Sequence, residues 1–418
     1  MKPKDKGWLK EYLEFRKDLF KEINSARKTS HPEHSLYRMM QPTGLMYGQT
    51  IGNIKHPSAD DWDEKDKLKI ILAESLISSS LLFHNKPINT AEDLSEAFVK
   101  SLESIGDFYN NIFPEVATSK KSFFGKKRMP IEVAEKILEK RIEKSTGVNE
   151  NFWTSFFHNS LLFLDVFIFG QWIHTNADRI VTDFFKFERE ELRFSVVKVI
   201  AAAAHSDQHL NPEEKKLLEH FIQGTNLPQD KRKEALTIFE NGVQIEEISL
   251  PSENSWILKK FFLELAILTT WADRKIEEAE KVFLKRFCNH LGFSEDDLEN
   301  SMIAVEGFVL EHWKQLEYLQ DKQDYNKLSE DFIARMAKVA AKNKGRIMKG
   351  IKGSKAISDL LVKARTQELT PKETEQVRIA LIQMLKAVPT FVIISLPQQF
   401  LTVPILLKIL PKDIFLSD

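Results

Sequence analysis

No intrachain disulfide is possible, because Cys288 is the one cysteine, which fits a reducing compartment. Glycine and proline are scarce, fifteen of each in 418 residues, which disfavours a turn-rich all-β chain or a long disordered one. Neither charge dominates. Sixty Lys and Arg stand against 61 Asp and Glu, a net charge of -1, so any attraction to nucleic acid or membrane must be local. Met1 to Lys10 is charged and carries no apolar stretch, so no secretory signal is read there. Enzyme signatures are missing too: no phosphate-binding Gly-rich loop, no Gly-x-Ser-x-Gly elbow, no His-Glu-x-x-His and no zinc-type cysteine pairs. The expectation is a non-enzymatic protein.

What is present is apolar periodicity. With 42% hydrophobic and 29% charged residues, the chain can bury a core, and its length suits two or three domains. Spacings of three and four (Trp8, Leu9, Tyr12, Leu13, Leu19, Phe20, Ile23) predict a helix over 7–24. Residues 25–62, with Pro32, Pro42, Gly44, Gly48, Gly52 and Pro57, read as irregular, and helical patterns return over 64–83, 91–112 and 130–145. A basic loop at 120–128, around Phe123 and Phe124, reads as solvated or as a shallow membrane contact. The apolar run 153–173 is long enough to span a membrane, but His158, Asn159, Asp165 and Gln171 interrupt it. The spacing of Phe156, Leu161, Leu164 and Phe167 predicts a buried core helix instead.

An internal repeat emerges when 193–230 is laid on 259–296 without a gap. Asp207, Glu214, Lys215, Leu218, Phe221 and Asp230 then meet Asp273, Glu280, Lys281, Leu284, Phe287 and Asp296. In each copy an apolar helix ends at an Asp, a turn follows, and a second helix turns Leu and Phe inward. Neither copy has enough apolar surface alone, so the two are expected to pack as one bundle. This region resembles the TerB-like family, through His205-Ser206-Asp207-Gln208-His209-Leu210 with Glu214 and Trp271-Ala272-Asp273-Arg274-Lys275-Ile276 with Glu280. Gln208 and Arg274 stand where that family has glycine.

Asp207, Glu214, Asp273 and Glu280 are the candidate ligands for a divalent cation such as Ca2+, which takes several carboxylate and carbonyl oxygens. The other reading is structural: each Asp caps its turn, and Asn211-Pro212-Glu213-Glu214 forms a capping box. His205 and His209, four apart, are a soft-metal pair only if the turn at Asp207 leaves the helix intact, and Cys288 with His290 reads as core.

From Arg335 to Arg365 ten Lys or Arg face one acid, Asp359, with Gly345, Gly350 and Gly353 between them. Lacking aromatic residues for base stacking, the stretch suits anionic lipid better than nucleic acid; Lys342, Lys344, Arg346, Lys349, Lys352 and Lys355 are the candidate membrane-surface residues. A solvated linker is the alternative. Next, Ala387 to Leu407 gives 21 uncharged residues, twelve of them Val, Ile, Leu or Phe. As one helix these would span about 31 Å. Pro389, Pro397, Pro404, Gln398 and Gln399 oppose a straight span, leaving a kinked span, a re-entrant hairpin or partner-dependent insertion open.

The prolines Pro389, Pro397, Pro404 and Pro411, at intervals of eight, seven and seven, with Lys408 and the upstream Leu369-Thr370 and Glu373, resemble the membrane segment of the LETM family. Phe400 stands where that family has a Glu, the kind of intramembrane carboxylate that carries ions. The family's ribosome-binding domain lies beyond the membrane segment, past Asp418 here. The whole order is similar to bacterial LETM-related proteins associated with biofilms.

The expectation is an all-α chain: a helical N-terminal domain (1–150), apolar connecting helices (151–190), a TerB-like tandem repeat (191–305), a linker helix with basic stretch (306–368) and a Pro-kinked LETM-like membrane segment (369–418). Its expected role is a membrane-associated adaptor or scaffold, facing the cytoplasm at a bacterial inner membrane, with anionic lipids and unidentified proteins as partners. The alternative is a part of cation or proton transport, which would need a homo-oligomer. Ribosome binding follows only from the family resemblance.

Overall fold

The computed structural model describes residues 1–47, 54, 56–120, 127–145, 152–175, 179–206, 219, 221–222, 225, 227–251, 254–270, 278–315, 324–351, 363, 369–394 and 396–411. Among the described residues the chain is all-helical, with no strand. It divides into two compact units, Met1–Thr269 and Thr270–Asp418. The division falls inside the 191–305 stretch.

Unit 1 is built around α4 (Glu64–Leu82), which starts at Asp63, whose carboxylate accepts from the Asp66 backbone N–H. Nearly every side chain from Leu68 to Leu82 is buried, as suits a helix with no polar face. Around it pack α2 (Lys17–Thr29), α3 (Pro32–Met40), α5 (Ala91–Ile112), α6 (Pro130–Ser145) and α7 (Phe152–Trp172). Small residues on α4 allow close approach: a Cβ on Gly170 of α7 would lie 2.7 Å from Ser79 Oγ. The expected helix over 7–24 is divided, α1 (Trp8–Phe15) ending where Arg16 leaves helical geometry before α2 begins. The segment expected to be irregular contains α3, because Pro32 opens a first turn and Leu36, Tyr37 and Met40 then share a buried face.

Helix α7 is the core helix its spacing predicted, with Leu161–Leu164 and Val166–Phe169 buried. Helix α8 (Arg179–Ala204) packs on α7, and α9 (Gln229–Asn241) packs on α8. Helix α10 (Trp256–Thr270) completes the unit, with Phe261 stacked on Phe163 at 4.3 Å. Its N-terminus is capped from far along the chain: the Glu33 carboxylate accepts from Ser255 Oγ (2.7 Å) and the Trp256 backbone N–H (2.8 Å). A helix start leaves N–H groups unpaired and favours negative charge, so Glu33 joins α3 to α10.

Unit 2 contains α11 (Glu278–His290), α12 (Glu295–Glu311), α13 (Tyr325–Lys342), α14 (Lys344–Ile351), α15 (Pro371–Leu385), α16 (Pro389–Ile393) and α17 (Val403–Ile409). Helix α12 packs on α11 and α13, and α17 packs on α13 and α15. Capping boxes fix two starts, Ser294 with Asp297 for α12 and Thr370 with Glu373 for α15.

The 387–407 run is not one long helix. It forms α16, a 3-10 turn at Gln398–Phe400 and the start of α17. Pro389 and Pro404 each sit in the first turn of a helix, and Pro397 opens the turn between, because proline has no N–H to continue a helix but fits its beginning. Among the described residues no helix is long and apolar enough to cross a membrane.

Candidate functional site

Of the four candidate cation ligands, Asp207, Glu214 and Asp273 lie outside the described residues. Glu280 is in the first turn of α11 and buried. Among the described residues no three His, Cys, Asp or Glu gather as a metal site. His205 is engaged elsewhere: its Nε2 lies 2.8 Å from the Phe239 carbonyl oxygen, and since a carbonyl only accepts, Nε2 carries the proton. His209 is outside the described residues. Cys288 is buried, its Sγ 3.3 Å from the Ser294 carbonyl.

Where described, the basic stretch is helical over 335–342 and 344–351, and Gly345 lies within α14. Acids on neighbouring elements answer much of its charge. Lys342 pairs with Asp296 at 2.5 Å, Arg335 Nε lies 3.1 Å from Glu306, and Lys363 pairs with Glu373 at 2.6 Å. Aided by Thr370, the Lys363 ammonium pulls the Glu373 carboxyl down to about 2. Lys344 is half-buried, and Lys338, Arg346 and Lys349 are exposed. Lys352 and Lys355 lie outside the described residues. Among the described residues of the predicted patch, the exposed cations are therefore those of α14 and the end of α13.

Several residues of the proline-punctuated C-terminal segment pack into unit 2. Phe400, at the position of the family's Glu, is buried with its ring 4.8 Å from Phe332. Pro397 is buried against Gly307, where an added Cβ would meet its Cδ at 3.4 Å. Thr390 Oγ1 donates to Asn300 Oδ1 at 2.8 Å and Gln399 Nε2 to the Leu310 carbonyl at 3.0 Å, tying the segment to α12. Pro404 and Lys408 are exposed and Pro411 is half-buried. Among the described residues, the segment read as membrane-contacting thus turns its largest side chains, Phe391 and Phe400, into the protein core, and no straight spanning helix forms there. Val392 is exposed, and Ile393, Leu396, Leu401, Ile405 and Leu407 are half-exposed.

Three buried polar clusters carried no sequence signal, because each joins segments that are far apart in the chain. In the first, the Glu264 carboxylate accepts from the Tyr37 and Tyr47 hydroxyls, each at 2.7 Å, with Lys260 Nζ at 3.6 Å. Burial raises the Glu264 carboxyl above its usual range, and burial beside that carboxylate raises both phenols. In the second, Asp165 accepts from Tyr109 (2.9 Å) and Arg141 (2.6 Å). Arg141, Arg189 and Arg193 surround the Phe113 ring at 5.5, 4.9 and 5.7 Å, and burial among like charges lowers Arg193 to about 9. In the third, Arg335 Nε lies 3.1 Å from the Glu306 carboxylate, and burial pushes Glu306 up to about 7 despite that guanidinium; separately from this pair, burial lowers His312, farther along the same helix, to about 4. These clusters staple helices together within their units. Each is closed to solvent at its carboxylate.

The fold and surface define an all-helical chain with buried ionic staples and local surface patches. Over 124 residues it is 27% identical to the co-chaperone protein DjlA of Vibrio cholerae serotype O1, covering 28% of this chain and 44% of that protein. Over 122 residues it is 25% identical to the co-chaperone protein DjlA of Vibrio vulnificus, covering 27% and 42%. The matched stretch spans less than half the length of these relatives. No family model matches the chain, and no solved structure does.

Proposed function

We propose that the chain is a non-enzymatic helical adaptor that acts with chaperones at a membrane surface. The observation carrying this reading is the domain-sized match to co-chaperones. The closed buried clusters agree with an adaptor, since they hold helices rather than present reactive groups. We further propose that 191–305 is a TerB-like tandem unit, supported by the constant 66-residue offset between its copies. Asp207, Glu214, Asp273 and Glu280 are its proposed cation ligands. Membrane contact rests on the exposed cations Arg346 and Lys349 of α14 and on the partly exposed apolar side chains of 392–407.

The test has two arms. Refolding of a heat-denatured reporter by an ATP-dependent chaperone should quicken when the chain is added; a rate unchanged at tenfold molar excess would remove the co-chaperone role. The chain should also float with vesicles containing anionic lipid, and Arg346→Glu with Lys349→Glu should leave it in the soluble fraction. Equal flotation of that variant would remove the headgroup assignment.

A further inference from the structure

The first half of α8 carries an apolar stripe that is largely exposed among the described residues, with only the Lys231 ammonium, 5.4 Å from the ring centroid, lying over Phe187. Ile180, Phe184 and Phe187 are 82%, 58% and 59% exposed. Their spacing of four and three puts them on one helical face, while Thr182, Phe185, Glu188 and Leu192 face the core of unit 1. Other strongly exposed apolar side chains, such as Phe15, Val99 and Ile379, stand alone in the sequence. Scattered single residues of that kind are ordinary; a contiguous stripe marks an interaction site.

The charges beside the stripe say what fits it. At 100° per residue, Arg179, Asp183, Lys186 and Glu190 fall along one flank, alternating plus, minus, plus, minus. A two-fold axis crossing the helix between Phe184 and Phe185 maps 179 onto 190 and 183 onto 186. In an antiparallel helix pair the same flank of each helix faces the other. Arg179 would therefore meet the partner's Glu190, and Asp183 the partner's Lys186, with Phe184 beside the partner's Phe184 at the axis. A parallel pair would set this flank against Val181 and the buried Glu188 and leave the charges unmatched. Within the chain, Arg179 and Lys186 reach Asp183 only at 4.0 and 3.8 Å, with side chains 96%, 40% and 62% exposed, so all three are solvated and free to re-pair.

We infer that this face of α8 is a self-complementary docking surface for a second copy of the chain, paired antiparallel about Phe184. Two such stripes with their flanks bury roughly 600–1,000 Å2, short of the ~1,200 Å2 of a long-lived complex, so the dimer is weak and populated at micromolar concentration and above.

Sedimentation velocity of the full chain from about 1 to 200 µM tests this across the range such an area implies. The sedimentation coefficient should rise with concentration. Phe184→Asp should weaken the association about tenfold or more, as expected for a central aromatic anchor. Arg179→Glu and Glu190→Arg should each weaken it about threefold, and the double variant should recover, because the swapped charges meet again across the axis. Arg179 and Phe184 are exposed and Glu190 is half-buried at the rim of the stripe, so circular dichroism should report an unchanged fold. A chain that stays monomeric throughout, a dimer indifferent to Phe184→Asp, or a double variant no better than the single ones would each overturn the inference.

Discussion

Glu306 and His312 sit six residues apart on α12 and titrate in opposite senses. Glu306 titrates near 7 in the fold against 4.5 ordinarily, so the stability it adds is full below pH 4.5 and is lost as pH rises through 7. His312 titrates near 4 against 6.5, so its contribution is full above pH 6.5 and is lost as pH falls through 4. Each shift corresponds to about 3 kcal/mol, and between pH 6.5 and 4.5 the two slopes oppose each other. Glu306→Gln should therefore expose the His312 slope, so that stability falls on acidification through this window. His312→Asn should expose the Glu306 slope, so that stability rises. Urea unfolding followed by circular dichroism at several pH values reads both; parallel pH profiles for the two variants would contradict the assignment.

These residues also show where sequence reading stops. Asp165 was visible as an interruption of an apolar run, and so as evidence against a membrane span. That it accepts from Arg141 and Tyr109, 24 and 56 positions away, was not visible, because hydrogen-bond partners from other helices are chosen by packing. The same holds for Glu264 with Tyr37 and Tyr47, and for Glu33 at the start of α10.

At the scale of elements, the helices over 64–82, 91–112, 130–145 and 152–172 lie where the spacing of apolar residues puts them, since one buried stripe suffices to define a helix. The C-terminal stretch differs because apolar composition alone does not say whether lipid or protein covers it. Here Phe400 fills a space beside Phe332, and α17 lies against α13 and α15. Phe400→Ala should cost about 3–5 kcal/mol, as for a large core aromatic. Phe400→Glu, which in a membrane segment would supply an ion-carrying carboxylate, should cost at least as much here, because it buries an unpaired charge. Chemical unfolding measures both; a loss under about 1 kcal/mol for Phe400→Ala would mean the segment does not rest on this core.

At the scale of the whole molecule, the chain holds two compact units joined near Thr270. Calorimetry should resolve two transitions, one for each unit. The Glu306 and His312 variants should move the transition of residues 270–418 and leave the other in place. A single transition that moves as a whole would contradict independent units. The α8 stripe belongs to this scale as well, since it concerns what unit 1 presents outward rather than what holds it together.

By itself the sequence determined the helical class, the positions of most long helices and the tandem offset, because each depends on periodicity along a short stretch. Only the tertiary structure decided which carboxylates are stapled, that 387–411 turns its large side chains inward, and that the stripe on α8 is largely exposed among the described residues. Burial is settled between distant segments, and no local pattern records which partner fills a given space.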